Sequence, residues 1–97
     1  MLWLPGKLTL DDAPAALAAL AQALRSEVGG ATAAVDASGL LRFDSAALAV
    51  LLECRRLAQA AGQGFAVYGA PPKLAELARL YGLDALLPLA AVPGDPH

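Results

Sequence analysis

Residues 35–52 read VDASGLLRFDSAALAVLL. Two aspartates, Asp36 and Asp44, are each followed closely by a serine, Ser38 and Ser45. Ser38-Gly39 is turn chemistry, and Asp44-Ser45 stands directly before an apolar pattern of helical period. The stretch therefore predicts a strand ending near Asp36, a turn, and a helix from about Ser45 to Ala61 that Gly62 stops. On a helical wheel Ala47, Val50, Leu51, Cys54, Leu57, Ala58 and Ala61 share the face that must meet a sheet. Ser45, Ala49, Leu52, Glu53, Arg56 and Ala60 point outward, with Leu48 and Arg55 near the boundary.

Working outward, the same alternation continues in both directions. Upstream, "MLWL" and "KLTL" are short apolar pieces split by Pro5-Gly6, as in a kinked or hairpin-like strand. Asp11 and Asp12 before Ala13-Pro14 predict an N-cap and a first helix over Pro14–Val28, with Leu17, Leu20, Ala21 and Leu24 inward and Gly29-Gly30 as its stop. Ala31–Ala37 then reads as a small-residue strand, central and covered on both faces. Downstream, Gly64–Ala70 is a further strand. Pro71-Pro72 open a third helix with Leu74, Leu77, Ala78 and Tyr81 on one face and Gly82 as C-cap. "LLPLAAV" suggests a last short edge strand. Strands and helices in alternation predict one α/β domain over residues 1–92, built with right-handed crossovers, and residues 93–97 as a loose tail.

Composition bounds the chemistry. Of 97 residues, 58% are hydrophobic and 16% charged, enough to build a core, and the net charge of −2 offers no basic stripe for nucleic acid. The single cysteine, Cys54, excludes an internal disulfide, and the single histidine, His97, is the final residue, so no Ser–His or Cys–His pair is credible. Neither a phosphate-binding glycine loop nor an apolar run of about 20 residues is present, and the N-terminus lacks signal-peptide character. The chain reads as a cytoplasmic protein without enzymatic activity, cofactor, metal or membrane span.

Asp44 and Ser45 admit two readings. Either residue can cap the helix, worth about 1 kcal/mol. Alternatively Ser45 is a switch, since a phosphate there adds about −1.5 to −2 charges beneath any docked partner, an unpaired burial that releases it. Leu52 beside the small Ala49, near Arg55-Arg56, has the composition of a small docking patch. Asp36 is read as hydrogen-bonding its own turn rather than as half of a cation site. Cys54 lies within the inward stripe as a packing thiol.

The run Asp36–Leu52 resembles the signature of STAS domains, the family of anti-sigma factor antagonists and transporter regulatory modules. Asp36, Ser38, Gly39, Asp44, Ser45 and Leu48 match that pattern. The run Lys73–Pro88, KLAELARLYGLDALLP, is similar to the third helix and C-terminus of MlaB-type STAS proteins, subunits of the bacterial ABC system that moves phospholipid between the two membranes of Gram-negative cells. The resemblance implies a single small mixed sheet of four to five strands with three to four helices. It implies Ser45 as the phosphorylatable position, and a partner surface of Asp36, Ser38, Gly39, Asp44, Ser45, Leu48, Leu52, Arg55 and Arg56. The implied partner is an ABC ATPase subunit, with an anti-sigma factor and its serine kinase as the alternative. Ala46-Ala47 stand where family members often carry glycine, methyl groups expected to restrict a kinase. Family members usually carry one more edge strand before the "LPGKLTL" region, so either the sheet is a strand short or residues 1–4 supply what pairing they can, and the edge left could pair with a second copy.

Overall fold

The computed structural model describes residues 2–26, 32–87 and 89. In chain order the elements are β1 (Leu2–Trp3), β2 (Lys7–Leu8), α1 (Ala13–Ser26), β3 (Thr32–Asp36), β4 (Arg42–Phe43), α2 (Ala46–Ala60), β5 (Gly64–Tyr68) and α3 (Pro72–Leu80). The expected Gly29-Gly30 stop, Ala31 and the tail 93–97 fall outside the described residues, as do residues 88 and 90–92 of the proposed last strand, whose Leu86 and Leu87 lie in a turn and whose Leu89 makes a single bridge.

The expectation of one mixed sheet is corrected. Among the described residues every pairing is parallel, and the strands fall into a three-stranded sheet of order β1-β3-β5 and a two-stranded sheet of β2 with β4. Parallel pairing follows from connectivity: β1, β3 and β5 are each separated by a helix, which returns the chain to its starting edge. Nor is the Pro5-Gly6 break a hairpin. The segment 2–8 runs in one direction alongside 35–43, Leu2 opposite Val35 and Lys7 opposite Arg42. The register slips by two residues between those pairs, and the excess on the β3–β4 side is taken up by the Ser38-Gly39 turn. Gly6 bridges the slip, its carbonyl accepting from the N–H groups of both Leu41 and Arg42 at 2.8 and 2.9 Å. Residues 2–4 thus pair with β3 at the edge of the sheet, the Leu4 N–H donating to the Asp36 carbonyl.

Strand order advances one way across the sheet, from β1 through β3 to β5, and an isolated parallel bridge from Val67 to Leu89 continues it. Right-handed crossovers that never reverse direction put successive helices on the same side. Burial agrees. Leu2, Ala33, Val35 and Val67 on one face are buried, whereas Trp3, Ala34, Asp36, Ala66 and Tyr68 on the other are half-buried or exposed. The reading of β3 as covered on both faces is therefore corrected to one face.

Helix α2 contributes Ala46, Ala47, Leu48, Val50, Leu51, Cys54 and Ala58 to one continuous core with Leu20 and Leu24 of α1 and Leu74 and Ala78 of α3. Each fully buried leucine contributes roughly 1.5–3 kcal/mol. Leu17 and Leu57 pack only partly against that core, and Ala61 is exposed beyond the helix end. At Gly62 (φ 77°) the Gln63 N–H returns to the Ala58 carbonyl at 2.9 Å, and at Gly82 (φ 72°) the Leu83 N–H returns to Ala78 at 2.8 Å. Both are Schellman closures, which a left-handed glycine makes at little strain. The second turns the chain before Tyr81 can join the core. Tyr81, expected on the inner face, is 57% exposed, and Leu83 packs against the core instead.

The first helix is capped differently from expectation. Asp12 reaches back, its Oδ2 accepting the Thr9 N–H (3.0 Å) and Thr9 hydroxyl (2.8 Å), while the Thr9 carbonyl accepts from Asp12 and Ala13. Half of a capping box is thus formed with Thr9 at its head. The Thr9 donors, with a smaller pull from Lys7 at 3.6 Å, hold the Asp12 carboxyl below its ordinary value.

Candidate functional site

The entrance of α2 gathers the polar residues singled out from the sequence. Asp36 ends β3 with its Oδ1 accepting the Ser38 N–H (2.8 Å) and the Ser38 hydroxyl, the turn expected for it. These bonds, that of the hydroxyl first, lower its pKa. Asp44 is the functional cap. Its Oδ1 accepts the Ala46 N–H at 2.8 Å and its Oδ2 accepts the Leu10 N–H at 3.1 Å, tying the β2–α1 connection to the helix entrance. Ser45, with helical φ and ψ, makes no side-chain capping bond and is exposed. Of the two capping candidates the carboxylate does the work and the hydroxyl is left to solvent.

That division predicts opposite outcomes for adjacent substitutions. Asp44→Ala removes both tethers and is expected to cost about 1–2 kcal/mol, whereas Ser45→Ala stays within about 0.5 kcal/mol of wild type. Urea midpoints at unchanged slope check both.

Past the entrance, Leu52 is half-buried with one side packed on the core, and Ala49 beside it is exposed. The arginine pair divides. Arg56 bonds Glu53 one turn earlier on the same helix, with its Nε at 2.9 Å, and each raises or lowers the other's pKa toward the charged form. Arg55 is half-buried, and no acidic group pairs with it among the described residues. Arg55 is thus the cation of the pair available to a partner. Leu48 is not available. At 2% exposure it belongs to the core, so its assignment to the contact surface is corrected. The first turn of α2 buries Ala46, Ala47 and Leu48 in succession, about 200° of the wheel. The methyl groups of Ala46 and Ala47 point inward and do not screen Ser45, contrary to expectation.

The resemblance places the partner surface on the 36–41 loop and the α2 entrance, but the sequence did not single out the exposed apolar residues there. Leu41, just after the Ser38-Gly39 turn, is 83% exposed, and Leu10, whose backbone Asp44 holds, is exposed too. Leu10 ends the KLTL piece read as strand and Leu41 follows the Ser38-Gly39 turn, and neither short segment has a period from which a face can be read. Beside Asp44, Phe43 and the Leu77 and Leu80 side chains of α3 line a groove of about 770 Å³ rimmed by Lys73, Glu76 and Arg79. The exposed Leu10 and Leu41, together with Ser45 directly after Asp44, make up the lip of α2, and Phe43 of the groove is two residues before Ser45 in the chain.

Cys54 is fully buried, and its thiol is pushed up to about 11 by desolvation, with Glu53 adding to it. A thiol in that state is not a nucleophile at neutral pH. No described helix is long and apolar enough to cross a membrane, and the described residues hold no cluster of three metal-ligating side chains.

The molecule is a one-sided parallel α/β layer with a carboxylate cap at the α2 entrance and exposed apolar residues at its loop ends. The family model described as "Mlab, STAS domain" matches residues 1–88, and the chain belongs to that family of STAS domains, which serve as protein-interaction and regulatory modules and are generally non-catalytic. No curated protein gives a significant match.

Proposed function

We propose that this domain is a MlaB-like subunit that docks on a cytoplasmic ABC ATPase of a phospholipid transport system and supports its assembly and activity without hydrolysing ATP. The family match supports the type of domain. The observation that carries the reading is the α2 entrance, an exposed serine hydroxyl with no capping bond between exposed Leu41 and half-buried Leu52, with Arg55 free to pair. Apolar anchors around a small polar centre suit a stable protein contact. Asp36 and Asp44 shape this surface through their turns, Ser38 and Gly39 form its loop, and Arg56 serves at the rim.

The experiment is capture of the cognate ATPase by purified variants. Leu41→Asp, Leu52→Asp and Ser45→Glu each put an unpaired carboxylate under the partner and are expected to weaken capture roughly a hundredfold. All three sites are solvent-accessible to some degree, so folding survives. Undiminished capture by all three overturns the proposal.

One observation favours a second reading. The Ser45 hydroxyl is exposed, unbonded and unscreened, as a kinase substrate requires, which suits an anti-sigma factor antagonist under serine-kinase control. Incubation with the cognate kinase and ATP then adds one phosphate, about 80 Da, that Ser45→Ala abolishes. A phosphorylated Ser45 coupled to sigma-factor regulation would replace the transport reading.

A further inference from the structure

No described helix covers the second face of the three-stranded sheet, where Ala34, Asp36, Ala66 and Tyr68 are half-buried and Trp3 is exposed. Parallel sheets are ordinarily covered on both sides. Here the one-way strand order puts the crossovers on a single side, and the opposite face carries Ala34 and Ala66 as a shallow shelf. At the C-terminal end of the strands one cross-strand row runs Trp3, Asp36, Tyr68, each opposite the next in register. Neighbouring strands lie about 5 Å apart, so an indole and a phenol flank one carboxylate. Trp3 is 65% exposed, although it is the largest apolar side chain in the protein.

The chemistry of that row is specific. Both Ser38 bonds fall on Oδ1 of Asp36, which leaves Oδ2 able to accept an incoming donor. The Ser38 donors, with a weaker contribution from the Trp3 indole, keep the carboxylate ionised. A carboxylate beside two aromatic side chains attracts a cation, and a planar guanidinium can donate to Oδ2 while laying its plane on a ring, a geometry a compact ammonium lacks. The face is open and shallow. A free small cation would stay largely solvated on it, whereas a side chain delivered by a protein surface brings its own cover for the Ala34–Ala66 shelf.

We propose that the bare sheet face is a second docking surface, which takes an arginine-bearing segment of a protein partner on the Trp3–Asp36–Tyr68 row. It rests on the docking-module reading only in supposing a protein partner, and it uses the face of the sheet rather than the α2 lip.

Trp3 is the chain's one tryptophan, so its emission reports on this row alone. Titration with a hexa-arginine peptide is expected to change that emission saturably, and hexalysine to act more weakly. Asp36→Asn keeps an oxygen for the Ser38 turn and loses the charge. It is expected to weaken hexa-arginine binding roughly two- to fivefold, the effect of losing one exposed ion pair. Tyr68→Ala weakens it less, and Glu76→Gln, the same charge change on α3, leaves it within about twofold of wild type. Leu41→Asp and Ser45→Glu respond as wild type, which separates this surface from the α2 lip. The proposal is overturned if Asp36→Asn binds no more weakly than Glu76→Gln. It is equally overturned if phosphatidylcholine vesicles change the emission and hexa-arginine does not, or if emission follows protein concentration alone, the mark of a second copy on the face.

Discussion

Leu48→Ala is expected to destabilise the domain by about 3 kcal/mol while leaving partner capture, corrected for the folded fraction, at the wild-type level. The side chain is fully enclosed at the first turn of α2 among the leucines and alanines of the single core. Removing it deletes the burial of most of a leucine and leaves a cavity that a turn clamped by Asp44 cannot close. For a domain of this size such a loss is a large share of the net stability, typically 5–15 kcal/mol. Urea unfolding measures the first half of the statement and capture of the ATPase the second. A Leu48→Ala protein as stable as wild type would return this residue to the surface.

Gly69→Ala is the second large effect. Gly69 follows β5 with φ +68°, and a Cβ built there lies 2.9 Å from Ser38 Cβ and 3.3 Å from its Cα and N. The obstacle is the root of a side chain and its backbone, so the Ser38-Gly39 turn itself must move. Left-handed strain of about 1 kcal/mol adds to the overlap, and a total loss of about 2–3 kcal/mol is expected. Gly62 and Gly82 provide the contrast. Each has positive φ with nothing within 4 Å of the added methyl, so alanine there costs only about 1 kcal/mol. Thermal or urea unfolding of the three variants should rank them in that order. Because the displaced turn carries the Ser38 donors of Asp36, Gly69→Ala should also weaken capture at the α2 lip.

These two residues show what sequence could and could not reveal. Period alone located α2 within a residue at each end and identified Ala47, Val50, Leu51, Cys54 and Ala58 as buried, because a helix against a sheet hides one stripe. The same reasoning misjudged Leu48. Near the entrance the helix is enclosed on more than one stripe, and that enclosure is set by the packing of other elements. Tyr81 failed for a complementary reason, since the period continues through it while the Gly82 turn takes the chain away. The direction of the N-terminal strands and the split into two sheets were illegible because two-residue strands carry no alternation, and pairing of 2–8 with 35–43 depends on a two-residue slip that no local pattern encodes. At the site, Asp36, Asp44 and Ser45 were legible from turn and cap chemistry. Leu10 and Leu41 were not, because neither short segment has a period from which to read a side.

The enclosure of Cys54 has a practical consequence. The molecule's only sulfhydryl is shut away in its neutral form at working pH. A maleimide dye should therefore ignore the native chain and label a single engineered position, as in Ser45→Cys or Leu41→Cys, with no background to remove. Spectroscopic rulers can thus be mounted on the lip of α2 without disturbing a residue that holds the domain together.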